Sequence, residues 1–212
     1  MRLTITLSGL HGTGKSTYAR IIARKLNLRH VSAGGLFRQI AKEKGLSVSE
    51  LSRLSSQNHD IDQLIDERTK EEALQRNVIL DGLLAGWMAR DIADIKIFLT
   101  APDNMRFRRI ARREHISYSE ARRATLYRER LERGRFKRVY GINIDDTSIY
   151  DLIFSTGLLT VKANIEVIEK FIHEYVKVRR GKRSGRYSNR QNMCENTRKR
   201  ERTQMHYRGC NR

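Results

Sequence analysis

Leu3, Ile5 and Leu7 alternate with polar residues at the start of the chain, which is the two-residue period of a strand. The next residues, SGLHGTGKST at 8–17, turn through glycines. From Thr17 onward Ala19, Ile22, Ala23 and Leu26 recur at helical spacing, and the pattern ends near Asn27, ahead of the short stretch HVSAG. Residues 35–45 and 47–57 predict two short helices parted by Gly45, and 60–75, highly charged but carrying Ile61, Leu64 and Ile65, predicts a third. The apolar runs NVILDG at 77–82, IKIFL at 95–99 and YDLIFS at 150–155 predict buried strands, with 86–92 helical between the first two. Residues 103–139 read as a long arginine-rich helical region, two helices broken near 115–117. Residues 161–178 predict an amphipathic helix with Val161, Ile165, Ile168 and Ile172 on one face. Beyond about Arg179 the apolar periodicity stops.

Strands alternating with helices predict an α/β fold, a parallel five-stranded sheet covered by helices on both faces. The glycine turn then lies at the carboxyl edge of the first strand. The expected organisation is one domain over 1–178, containing the helical regions 35–75 and 103–139, followed by a basic, disordered tail at 179–212.

Composition narrows this picture only slightly. At 212 residues and 39% hydrophobic, the chain can bury one good core. No run approaches the roughly 18 apolar residues of a membrane span, and the N-terminus lacks a secretory signature, so the expected location is the cytoplasm and no membrane partner is expected. Cys194 and Cys210 both fall in the polar tail, which argues against a disulfide framework or zinc site. Charge is more informative in its distribution than in its total of +19. Segment 105–138 carries +9 and segment 179–212 carries +10, so the rest of the chain is neutral. A tail of that composition suits nonspecific attraction to nucleic-acid phosphates, with few aromatic residues for base stacking.

The chemistry concentrates at 8–17. The motif G-x-x-x-x-G-K-S places Gly9, Gly14, Lys15 and Ser16 between a strand and a helix. In that context the glycines let backbone N–H groups converge on an anion, Lys15 reaches the β/γ-phosphates, and the Ser16 hydroxyl ligates Mg²⁺. Asp81 ends the apolar run Val78, Ile79, Leu80; a carboxylate at a strand tip beside this loop can hold a water of the Mg²⁺ shell or else cap the following helix. Gly86 allows a ligand to approach the backbone, and Trp87, the only tryptophan, lines an acceptor pocket or anchors the core. On YRERLERGRFKR, Arg128, Glu132 and Arg135 lie near one helical face, where arginines can close over a transferring phosphoryl group, or where a charged helix simply faces water.

HVSAGGLFRQIAKEKGLS at 30–47, DGLLAGWMA at 81–89 and YGINIDDTSIYDLIFST at 140–156 resemble the archaeal-type cytidylate kinases, of the nucleoside monophosphate kinase group of P-loop proteins, over about 1–175. The resemblance implies transfer of phosphate from ATP to CMP or dCMP with Mg²⁺, and a mobile lid at 103–139. It implies that Gly9, Leu10, His11, Gly12, Thr13, Gly14, Lys15, Ser16 and Thr17 hold ATP. It also places Ser32, Gly34 and Arg38 in the monophosphate-binding region at 35–75 and its approaches; Arg38 or Arg68 is the candidate to replace the acceptor-phosphate donor that Leu83 does not supply. Leu83 departs from the family segment, which usually reads arginine there. An adenylate kinase-type or other small P-loop kinase, and a nucleotide-binding protein that associates with RNA through its tail, are the competing readings.

Overall fold

A computed structural model describes residues 2–47, 50, 51, 54 and 60–179. Five strands form one parallel sheet: β1 (Thr4–Ser8), β2 (Arg29–Ser32), β3 (Val78–Asp81), β4 (Ile95–Thr100) and β5 (Leu152–Ser155), in the order β2-β3-β1-β4-β5. All residues of β1 and β3 are buried, as expected of central strands covered on both faces. The chain moves from β1 outward to β2, returns to β3, and then crosses to β4 on the other side. β1 and β3 therefore flank the point where the winding reverses, which opens a crevice at their carboxyl ends.

The helices are α1 (Lys15–Lys25), α2 (Ala33–Glu43), α3 (Asp60–Leu74), α4 (Ala85–Met88), α5 (Asp103–Glu114) and α6 (Tyr118–Tyr140), with a seventh, α7, over 161–179. α1 starts two residues before the spacing predicts, because Gly14 at φ 93° closes the glycine turn and Lys15 already has a helical backbone. α2 likewise starts at Ala33, since the Ser32 side chain caps it by accepting from the Gly35 N–H at 2.9 Å. The predicted break near 115–117 has two causes. His115 takes a left-handed backbone at φ 56°, and Ser117 opens α6 with a capping box closed by Glu120. The helix expected at 86–92 is the shorter α4. Of the one expected at 47–57, residues 50, 51 and 54 are helical and the others lie outside the described residues.

Packing follows the apolar faces. Tyr18, Ala19, Ile22 and Ala23 of α1 are buried. Ile40, Ala41, Leu51 and Ile61 join α2 to α3, while Ala73, Val78, Leu80, Ala85 and Ala89 join α3, β3 and α4. A third cluster, Leu84, Phe136 and Ile144, ties the start of α4 to the end of α6.

The chain divides into two compact units, one running to Ile165 and the other from Glu166. In the second, Lys170 and Lys177 both pair with Glu174 along α7. The tail expected at 179–212 lies, beyond Arg179, outside the described residues. No helix among the described residues is long and apolar enough to cross a membrane.

Candidate active site

The glycine turn between β1 and α1 is held by its carbonyls, both from within and from outside. Lys15 Nζ donates to Gly9 O at 2.7 Å and Leu10 O at 3.0 Å, and Thr13 Oγ1 also donates to Leu10 O. Arg106 reaches His11 O at 2.7 Å, Arg109 reaches Gly12 O at 3.3 Å, and Thr156 donates to Thr13 O at 2.9 Å. Among the described residues, no acceptor bonds the N–H groups of Gly12, Gly14, Lys15 or Ser16. Carbonyls tied outward and amides left over make an anion cradle at a helix N-terminus. Gly9 is required at the base of the loop: its φ is +141°, and a Cβ there would stand 2.2 Å from Leu99 O.

Lys15 and Ser16 enter the crevice from the first turn of α1. Burial pushes the Lys15 ammonium down to about 8; attraction by Asp81, Glu132 and Glu129 opposes that shift and repulsion by Arg128 adds to it. Register places Asp81 opposite Leu7 on one side and Ser32 on the other, at the tips of three adjacent strands. Its Oδ1 accepts from Ser16 Oγ at 2.9 Å, and its Oδ2 pairs with His30 Nε2. A hydroxyl and a carboxylate side by side at a phosphate cradle are the hard oxygen donors that Mg²⁺ takes. The described residues hold no group of three or more His, Cys, Asp or Glu that could cage a metal alone. Such an ion would share its coordination with water and nucleotide phosphates.

The arginine-rich helices pack against this loop. Arg106 and Glu129 form a buried ion pair, with Nη1 to Oε1 at 2.6 Å, and Arg106 also bonds Asp103. Glu129 accepts from the His11 N–H at 3.2 Å, and Glu132 pairs with the His11 ring at 2.7 Å. Burial opposes ionisation of Glu132, but the His11 bond and the Arg128 charge outweigh it and hold its carboxyl below the ordinary range. Arg128 is tethered to Glu132 at 3.0 Å with its own side chain 65% exposed. Arg135 is half-buried, with its guanidinium over the Phe136 ring.

The sequence-predicted acceptor residues are spread more widely. Ser32, Gly34 and Arg38 share the first turns of α2, where the Arg38 guanidinium lies beside Gly34. Arg68, on α3, pairs with Glu43 at the far end of α2. Gly86 is buried, and the space expected for a ligand is taken by the Tyr150 ring, which a Cβ would meet at 2.5 Å; its N–H donates to Ser8 Oγ. Trp87, Leu83 and Leu10 pack on the Leu84–Phe136–Ile144 cluster, so Leu83 has a packing role. The indole N–H of Trp87 is buried with no acceptor among the described residues.

Sequence reasoning missed His30, Glu129 as a buried group, Arg106 and Arg109 as supports of the loop, and Asp66 and Thr69. The last two line a small cavity with Val31, Ile65, Leu80 and Asp81, partly open to solvent. Helical spacing 66 to 69 was the one signal available for that pair.

The sequence profile of the cytidylate kinase-like family matches residues 4–158. A cytidylate kinase of Staphylothermus marinus is 46% identical over 175 residues, covering 82% of this chain and 99% of that one. One of Ignicoccus hospitalis is 41% identical over 168 residues, covering 79% and 98%. Among solved structures, a shikimate kinase from Bacteroides thetaiotaomicron superposes with a TM-score of 0.60 at 17% identity, covering 82% of this chain and 99% of that one, a likeness of fold alone.

Proposed function

The chain belongs to the cytidylate kinase-like family, and from that premise we propose that it transfers the γ-phosphoryl group of ATP to CMP or dCMP, yielding CDP or dCDP and ADP. The observation that carries the reading is the juxtaposition of the loop's open amides, Lys15, and the Ser16–Asp81 pair at the crevice between β1 and β3. In this reading Gly9 to Thr17 wrap the β- and γ-phosphates. Lys15 leaves its two loop carbonyls to neutralise charge on the transferring group. Ser16 and Asp81 would hold Mg²⁺, which would offset negative charge on the phosphates.

Arg128, exposed and tethered only through Glu132, swings onto the equatorial oxygens, and Arg135 follows on the same helix. α5 and α6 act as the lid. Ser32, Gly34 and Arg38 receive the acceptor, with Arg68 joining by leaving Glu43. A bound nucleotide also supplies the acceptor that the Trp87 N–H lacks among the described residues. The 1–178 segment is the kinase domain, and the basic tail contributes at most nonspecific attraction to nucleic acid.

Steady-state assays with ATP, Mg²⁺ and CMP, dCMP, UMP or AMP test the assignment. Turnover is expected to be highest with a cytidine monophosphate. AMP as the preferred acceptor would replace it with an adenylate-type kinase.

A further inference from the structure

The cavity beside Asp81 opens next to Ser16 and runs away from the glycine loop, between the tips of β2 and β3 and the side of α3. An acceptor whose phosphate meets the γ-phosphate at the loop has its remaining atoms in that direction. Val31, Ile65 and Leu80 give the cavity apolar surface suited to a flat ring, and Asp66 and Thr69, one turn apart on α3, supply its polar side.

Both polar groups present acceptors. The Thr69 hydroxyl donates to Ile65 O at 2.7 Å, which turns its lone pairs outward, and Thr69 is 7% exposed. The Asp66 carboxylate accepts from the Tyr140 phenol, which belongs to the last residue of α6. A carboxylate has room for about four hydrogen bonds, of which the phenol takes one and fixes its orientation. Cytosine offers an amino group at C4, the partner that a carboxylate selects, whereas uracil offers a carbonyl oxygen there, which a carboxylate repels.

Resting on the (d)CMP kinase reading, we propose that Asp66 and Thr69 form the subsite that reads the pyrimidine, with the Asp66 carboxylate accepting the C4 amino N–H of cytosine and the Tyr140 phenol holding that carboxylate in place. A site built to satisfy a buried donor rejects the analogue that lacks it, because the site's own group is then left unpaired.

Titration calorimetry of CMP and UMP without ATP, together with kcat/KM for both, tests the subsite in the full chain and in Asp66→Asn, Thr69→Val and Tyr140→Phe. The parent is expected to favour CMP over UMP by about a hundredfold or more. Asp66→Asn is expected to collapse that preference to below about tenfold, with the affinity for ATP unchanged, since an amide can donate to the uracil oxygen. Thr69→Val and Tyr140→Phe are expected to weaken CMP severalfold. A folded Asp66→Asn variant that keeps the parental CMP:UMP ratio within threefold overturns the subsite. If that variant does not fold, unchanged CMP affinity in Tyr140→Phe and Thr69→Val overturns it instead. A parent inactive with CMP would defeat the kinase reading itself, a result distinguishable from failure of the subsite alone.

Discussion

The role proposed for Lys15 is a mobile one while its position is half-buried, and its proton makes that visible. In the folded chain the ammonium is pushed down to about 8, against 10.5 ordinarily. Between those values the unfolded chain binds more protons than the folded one, so this group's contribution to stability rises with pH across that window and its full penalty remains below it. The parent should therefore gain stability relative to Lys15→Met from pH 8 to 10 in chemical denaturation, and parallel curves for the two proteins would refute the shift. A polyphosphate arriving at the ammonium restores its affinity for the proton. Calorimetry in buffers of different ionisation heat should show net proton uptake on ATP binding near pH 8.5, and none in Lys15→Met. Arg128 is the complementary case, an exposed cation proposed to act only when substrate is present. Arg128→Ala and Arg135→Ala should each lower kcat/KM by about a hundredfold while leaving Tm nearly unchanged; unaltered kinetics would return both to the solvated-helix reading. The cradle was legible because its glycines, lysine and serine are contiguous. His30, Asp66 and Thr69 were not, because their meaning arises only when β2, β3 and α3 are assembled.

At the scale of elements, the arginine-rich region shows where pattern reading stops. Its break into α5 and α6 follows from local chemistry at Ser117 and Glu120, and was readable. Its charge run reads as a water-facing surface, yet Arg106 and Glu129 are buried against each other and against the His11 backbone. A charge is buried only with a partner, and here the partners are 23 residues apart on different helices. No helical period connects them. Removing one member leaves the other uncompensated, so Arg106→Ala or Glu129→Ala should each cost on the order of 3–5 kcal/mol in denaturant unfolding. The double replacement Arg106→Met with Glu129→Leu should recover a large part of that loss. Single variants within about 0.5 kcal/mol of the parent, the range of ordinary surface substitutions, would show that the pair carries little structural weight. Weaker ATP binding should accompany the loss in both single variants, since the same contacts hold the His11 carbonyl and amide.

For the whole molecule, strand order determines where chemistry can occur, since only the β1–β3 crevice brings the glycine loop and Asp81 together. The alternation of strands and helices made the sheet legible, and the reversal of winding then located the crevice. A chain ending at residue 178 is expected to keep kcat within about twofold at moderate salt, because it retains every residue assigned to the site; loss of folding or turnover would show that the remainder contributes to the domain. The nonspecific attraction to RNA proposed for the tail should fall steeply with added salt. The ties that Arg106, Arg109 and Thr156 make to the carbonyls of residues 11–13 have a calorimetric consequence. Because folding has already shaped this loop, tripolyphosphate meets a finished surface, and ordering entropy should contribute little to its binding. The heat-capacity change for that small anion should be close to zero across a range of temperatures, whereas CMP, entering an apolar cavity, should bind with a distinctly negative one.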